Sequence, residues 1–238
     1  MMGRLPYLLV LLVACSYSVP PSGQVADDEQ PREDASIAVD PDGPPDVPIV
    51  PLDTQEPDGP AAPQTSDHVA SLDNYIDSIS SNQNDNFGTV TQMFVDGSPA
   101  ANVLMKFDLS GLPTTTTVTA VELHVFTTAA GGAITVFPML EAWTETTSTW
   151  RRRNTTTAWT AEGAGPGSRG TTAIATFTPN AANAEFSSDV DVATVQGWVT
   201  VPATNLGLVL TSASSDESLI RSRQSATGKP FLRITHTP

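Results

Sequence analysis

The sequence predicts an all-β sandwich preceded by a disordered linker, and three observations carry that prediction. After residue 67, apolar and polar positions alternate in short runs rich in Val, Ile and Thr, the pattern of half-buried strands. Clusters of Gly, Pro, Asn and Ser separate those runs, as turns do in sandwiches. The segment from Ser16 to Ser66 holds 11 prolines and 11 acidic residues against one base, Arg32, for a net charge of -10. Such a segment cannot bury enough apolar surface to offset the entropy of ordering.

The strands are expected at His68–Ile79, Gln92–Val95, Val103–Leu109, Ala120–Phe126, Ile134–Leu140, Thr172–Thr178, Val190–Val192, Leu206–Thr211, Leu219–Arg223 and Phe231–His236. One short helix is expected between Val192 and Val199, because Val192, Val195, Trp198 and Val199 share a helical face. The organisation that follows is a signal segment at 1–14, a linker at 15–66 and one sandwich domain at 67–238. As a coil the 51-residue stretch Ser16–Ser66 would span roughly 40 Å, and as an extended proline-rich spacer roughly 160 Å.

Charge narrows the partners. From Asp67 onward 15 acids face nine bases, and no basic stripe runs along the domain, so a phosphate backbone would be repelled and nucleic acid is not an expected partner. Cys15 is the one cysteine, which excludes a disulfide within the chain. It closes Leu12-Val13-Ala14-Cys15 after an apolar stretch that is too short to span a bilayer, since a spanning helix needs roughly 20 apolar residues. Those four residues resemble the lipobox of bacterial lipoproteins, in which the cysteine takes a diacylglycerol and becomes the new N-terminus. The resemblance implies a lipid anchor at Cys15, export, and placement at the outer membrane or cell surface of a bacterium; Ser16 lacks the aspartate that retains many lipoproteins in the inner membrane.

Motifs recur in a recognisable order within the domain. Asp73-Asn74-Tyr75-Ile76, Asn84-Asp85-Asn86-Phe87-Gly88, and the run from Leu104 through Lys106-Phe107-Asp108 to Pro113 come first. Trp143-Thr144-Glu145 with Thr149-Trp150, then Gly197-Trp198, Asn205–Leu210 and Ser222-Arg223-Gln224 follow, closing with Pro230-Phe231-Leu232. This series resembles the DNRLRE domain, the disaggregatase-related family of carbohydrate-binding modules, from end to end of the domain. The resemblance implies a jelly-roll-type antiparallel sandwich that binds polysaccharide. Two departures stand out: Ala101 or Asn102 replaces the family's basic residue ahead of the Lys106 segment, and Gln224 replaces a glutamate.

Sugar recognition needs flat aromatic faces and polar groups to fix hydroxyls. Trp159, in the loop-like run Asn154–Gly170, is the candidate exposed platform, and Tyr75 in the first motif is a further ligand candidate. Arg151, Arg152 and Arg153 offer guanidinium groups that pair with a uronate or sulfate. For structural calcium, Asn84, Asp85, Asp189 and Asp191 supply hard oxygens, although the run from Asn82 is no EF-hand loop: its glycine is seventh and Met93 stands where a bidentate glutamate belongs.

Catalysis is not expected. Gly165-Pro166-Gly167-Ser168-Arg169-Gly170 has the spacing of a dinucleotide fingerprint but precedes a strand instead of opening a helix. Glu141 and Glu145 are the one pair of carboxylates to weigh for glycoside hydrolysis, and four residues of strand or loop fix no separation between them. The competing reading is a structural or adhesive module that docks onto another protein without binding sugar.

Overall fold

A computed structural model of the protein describes Gly59 and residues 62–238. The signal segment, Cys15 and most of the acidic linker lie outside the described residues. Gln64, Thr65 and Ser66, read as the end of the linker, already pair with His236, Thr235 and Ile234, so the first strand starts three residues ahead of the expected boundary.

Ten strands follow one another: β1 (Gln64–Asp77), β2 (Gln92–Gly97), β3 (Ala100–Phe107), β4 (Thr117–Ala129), β5 (Ile134–Pro138), β6 (Ala175–Phe177), β7 (Ala184–Asp189), β8 (Leu208–Ser212), β9 (Ser218–Arg221) and β10 (Phe231–Thr237). Every ladder is antiparallel. One sheet is formed by the first half of β1 with β10, β4, β9 and most of β2, and β7 lies along the other side of β4. The other is formed by the second half of β1 with β3, β8, β5 and β6.

Two strands belong to both sheets. β1 leaves β10 for β3 at a register shift between Ala70 and Leu72. β2 pairs with β9 up to Val95 and with β3 at Asp96 and Gly97. The ring β1-β10-β4-β9-β2-β3 therefore closes, whereas a simple jelly roll would leave two separate sheets. At 14 residues β1 is longer than one sheet needs, and bending it across both satisfies its backbone groups and removes an open edge.

Between the sheets, alternate residues meet: Val121, Leu123 and Val125 of β4 and Leu232 and Ile234 of β10 from one side, Val103, Met105, Val136, Leu208 and Leu210 from the other. Each such side chain taken fully out of water contributes about 1.5–3 kcal/mol. The expected helix is α1 (Val192–Thr200), which buries Val195, Trp198 and Val199 against this core and is capped by the Asp191 side chain. Residues 190–192, expected as a strand, instead lead into that helix. The strand actually present there is β7, which the sequence conceals because its residues alternate only between half-buried and exposed, with Phe186 the single apolar side chain long enough to pack. β3 is buried on both faces, because the long loop between β5 and β6 folds over the outer face of its sheet.

Candidate functional site

That loop encloses a second small core of Ile76, Leu104, Met139, Trp143, Trp159, Ala164 and Val209. Trp159, expected as an exposed platform, is only 5 % exposed, and its Nε1 donates to Thr149 O at 2.9 Å. It folds back to cover the sheet because Leu104 and Val209 present an apolar outer face that water would otherwise meet. Trp143 is likewise buried and donates to Leu206 O. Tyr75 is a core residue, stacked on Phe87 at 4.2 Å between centroids, and burial pushes its phenol up to about 12.

The motif residues that carry the family resemblance converge on a buried polar latch. Asp73 N donates to Glu145 Oε1, Arg223 Nε and Nη2 hold both Glu145 oxygens, and Arg223 N donates to Asp73 Oδ2. Asn74 Nδ2 donates to Ser148 O and Oγ while its Oδ1 accepts from Phe87 N. Gln224 Nε2 donates to Gly88 O at 2.7 Å and to Glu145 Oε1 at 3.2 Å, two bonds that an ionised glutamate could not make. Burial pushes the Asp73 carboxyl up to about 6. Glu145 is buried too, but the Arg223 guanidinium and the Asp73 amide outweigh desolvation and hold it below the usual range. The latch ties β1, the loop after β5 and the turn after β9 together. It presents no open ligand site.

The three consecutive arginines are also occupied in holding the loop. Arg151 donates twice to Gln83 Oε1, Arg152 Nη1 to Thr155 O, and Arg153 Nη1 to Ala142 O. None of them lines the groove described below. The proposed calcium ligands do not converge either. Asp191 caps α1 by accepting from Thr194 N and Oγ1, Asp189 ends β7, and Asn84 and Asp85 sit exposed in a turn. Among the described residues no group of three or more His, Cys, Asp or Glu side chains is placed to hold a metal.

The loop leaves part of the second sheet's outer face open as a groove of about 410 Å³. Its floor follows from strand alternation: Val136 points into the core, so Thr135 and Phe137 point out, joined by Thr211 of β8 and Asn102 of β3. Trp150, half-buried, forms one wall and Arg169 another. Gly163 makes this wall possible. It has φ of 69°, and a Cβ there would lie 2.6 Å from Trp150 Cζ2, so only glycine lets the indole rest on the backbone. Asn102 donates to Gly163 O at 2.8 Å and pins the same turn.

Arg169 lies flat on Phe137, its Cζ 3.5 Å from the ring centroid. Its Nε is buried without a partner, its Nη1 has only a long bond to Gly170 O, and no carboxylate among the described residues forms an ion pair with it. Desolvation lowers its pKa. Its signal in the sequence was the glycine-rich run Gly165–Gly170, whose spacing pointed elsewhere; that Arg169 reaches Phe137, 32 positions earlier, depends on the hydrogen bonds that fold Met139–Leu140 against Ser168–Gly170.

A larger depression of about 610 Å³ lies near the end of β3 and α1, walled mainly by Leu72, Phe107, Leu109, Leu112 and Trp198. Ser71, Lys106, Asp108, Ser110, Thr114 and Asn205 also line it, but its indole, Trp198, is buried in the core and offers no open face to a sugar ring. The smaller groove combines a half-buried indole, hydroxyls, the Glu162 carboxylate at its rim and a guanidinium without an ion pair, groups of the kind that sugar binding requires. Searching curated proteins returned no match for the chain. The model of carbohydrate-binding module family 96 matches residues 64–236, the whole of the β domain.

Proposed function

Since the chain belongs to carbohydrate-binding module family 96, we propose that it is a DNRLRE-type module that binds polysaccharide in the groove on the outer face of its second sheet and does not cleave it. The observation that carries this reading is the unpaired Arg169 lying on Phe137 beside Trp150. The indole offers a face to the C–H side of a pyranose, Thr135 and Thr211 offer hydroxyl partners, and the guanidinium suits a carboxylate or sulfate on the sugar.

The absence of cleavage in this reading rests on where the acids are. Glu145 is committed to Arg223, and Glu141 accepts from Thr160 N and Oγ1, so the pair weighed from the sequence does not act together across a bond. In the same reading Cys15 carries a lipid anchor, and the acidic stretch spaces the module from an outer membrane or cell surface toward an extracellular or cell-wall glycan.

Affinity electrophoresis of the full chain through gels holding neutral or acidic polysaccharides tests the binding. Retardation in acidic gels that weakens with salt, and that is lost in Trp150→Ala and Arg169→Ala, is the expected result. Free migration in every gel returns the adhesive reading. The anchor is tested separately: a Cys15→Ala protein still found in the membrane fraction refutes it.

A further inference from the structure

The first sheet carries, on its own outer face, an arginine stacked on a phenylalanine beside hydroxyl and amide groups, as the groove on the second does, though without a tryptophan. Val125 of β4 and Ile220 of β9 point into the shared core, so Phe126 and Arg221 point out, as do Gln92 and Thr128. Arg221 Cζ sits 4.0 Å from the centroid of the Phe126 ring. Gln92 Nε2 donates to Thr128 Oγ1, and Arg221 Nη1 donates to Thr227 O and Oγ1. Arg221, Gln92, Thr128 and Thr227, together with Thr91 and Ser225, line a depression of about 320 Å³, with Phe126 under the guanidinium beside it.

Arg221, like Arg169, makes no ion pair among the described residues, in a chain with 26 acids and 11 lysines and arginines. Arg152 and Arg153 also lack an ion pair; what Arg169 and Arg221 share is that each, besides lacking one, is stacked on a phenylalanine on the outer face of a sheet with hydroxyl or amide groups beside it. Because Val125 and Ile220 face the same core as Val136 and Leu210 from opposite sheets, the two patches open on opposite sides of the domain.

Resting on the reading that the Arg169 groove binds saccharide, the geometry points to a second, independent saccharide site at Arg221, of the same anionic class, which makes the module bivalent. A domain with sites on opposite faces bridges two polysaccharide chains, and its hold on a gel or wall exceeds either single affinity through effective concentration.

Native mass spectrometry of the full chain with an oligogalacturonate hexamer, a chondroitin sulfate hexasaccharide and uncharged cellohexaose reads the stoichiometry directly. Two equivalents of a charged hexamer are expected in the natural protein, one in Arg221→Ala, one in Arg169→Ala and none in the double variant. Gln92→Glu is a milder second variant: Gln92 stands opposite Arg221 in the β2–β9 ladder, so the new carboxylate supplies the missing counter-ion and also lowers the count to one. A single equivalent that Arg169→Ala abolishes, and that Arg221→Ala and Gln92→Glu leave intact, overturns the second site while leaving the groove in place. No equivalent of any of the three probes overturns both.

Discussion

Mild acid should stabilise this domain, and the reason lies in one buried carboxyl. Asp73 is 1 % exposed and titrates near 6 in the folded protein, against 3.8 as an ordinary aspartate. Burial is the main cause, because the single guanidinium nearby is already shared with Glu145. Between those two values the folded state keeps a proton that the unfolded state has lost, so stability falls as pH rises through the window and levels off above it. A shift of about two units corresponds to about 3 kcal/mol across the window. Glu145 works in the opposite direction but at lower pH, since its depressed value yields stability that is lost only as pH falls through its own range. Urea unfolding at pH 5, 6 and 7.5 measures the effect, with Asp73→Asn as the reference. The asparagine keeps an acceptor for Arg223 N and has no proton to lose, so the variant should gain on the natural protein by up to about 3 kcal/mol at pH 7.5 and by about half as much at pH 5. Parallel pH profiles in the two proteins would refute the assignment of that slope to Asp73.

Gln224→Glu should cost about 2–4 kcal/mol at pH 7.5, because it removes the bonds to Gly88 O and Glu145 Oε1 and adds a third carboxylate beside Asp73 and Glu145; urea melts read it, and the loss should shrink at pH 5. Gly163→Ala meets both the positive φ and the Trp150 ring, so a loss of about 1–3 kcal/mol is expected together with a changed Trp150 fluorescence spectrum. Trp159→Ala should destabilise by about 3–5 kcal/mol as an emptied core position, while Arg152→Ala, whose side chain is exposed, should stay within about 0.5 kcal/mol; equal effects in thermal melts would contradict the placement of these side chains.

Much of the architecture was legible because strand periodicity is local. β4 and β10 show their inward residues by alternation alone, and the helix after Asp191 shows its buried face through Val195, Trp198 and Val199. β7 escaped notice because a strand that buries no face leaves no apolar alternation to read. The motif residues Asp73, Asn74, Glu145 and Arg223 marked the family, yet their sequence gave no hint that they close on one another, since the contact joins positions 72 to 150 residues apart.

The candidate site was less legible for a related reason. Whether Trp150 or Trp159 meets solvent depends on which part of an outer sheet face the loop after β5 covers, and both tryptophans belong to that loop. The sequence by itself determined the all-β class, the order of most strands and the acidic surface, because these follow from composition and period-two patterning. Only the tertiary structure decided that Trp159 and the Arg151–Arg153 run serve the loop while Trp150, Phe137 and Arg169 frame the groove: exposure is a property of what packs against a residue, and here that partner comes from far along the chain.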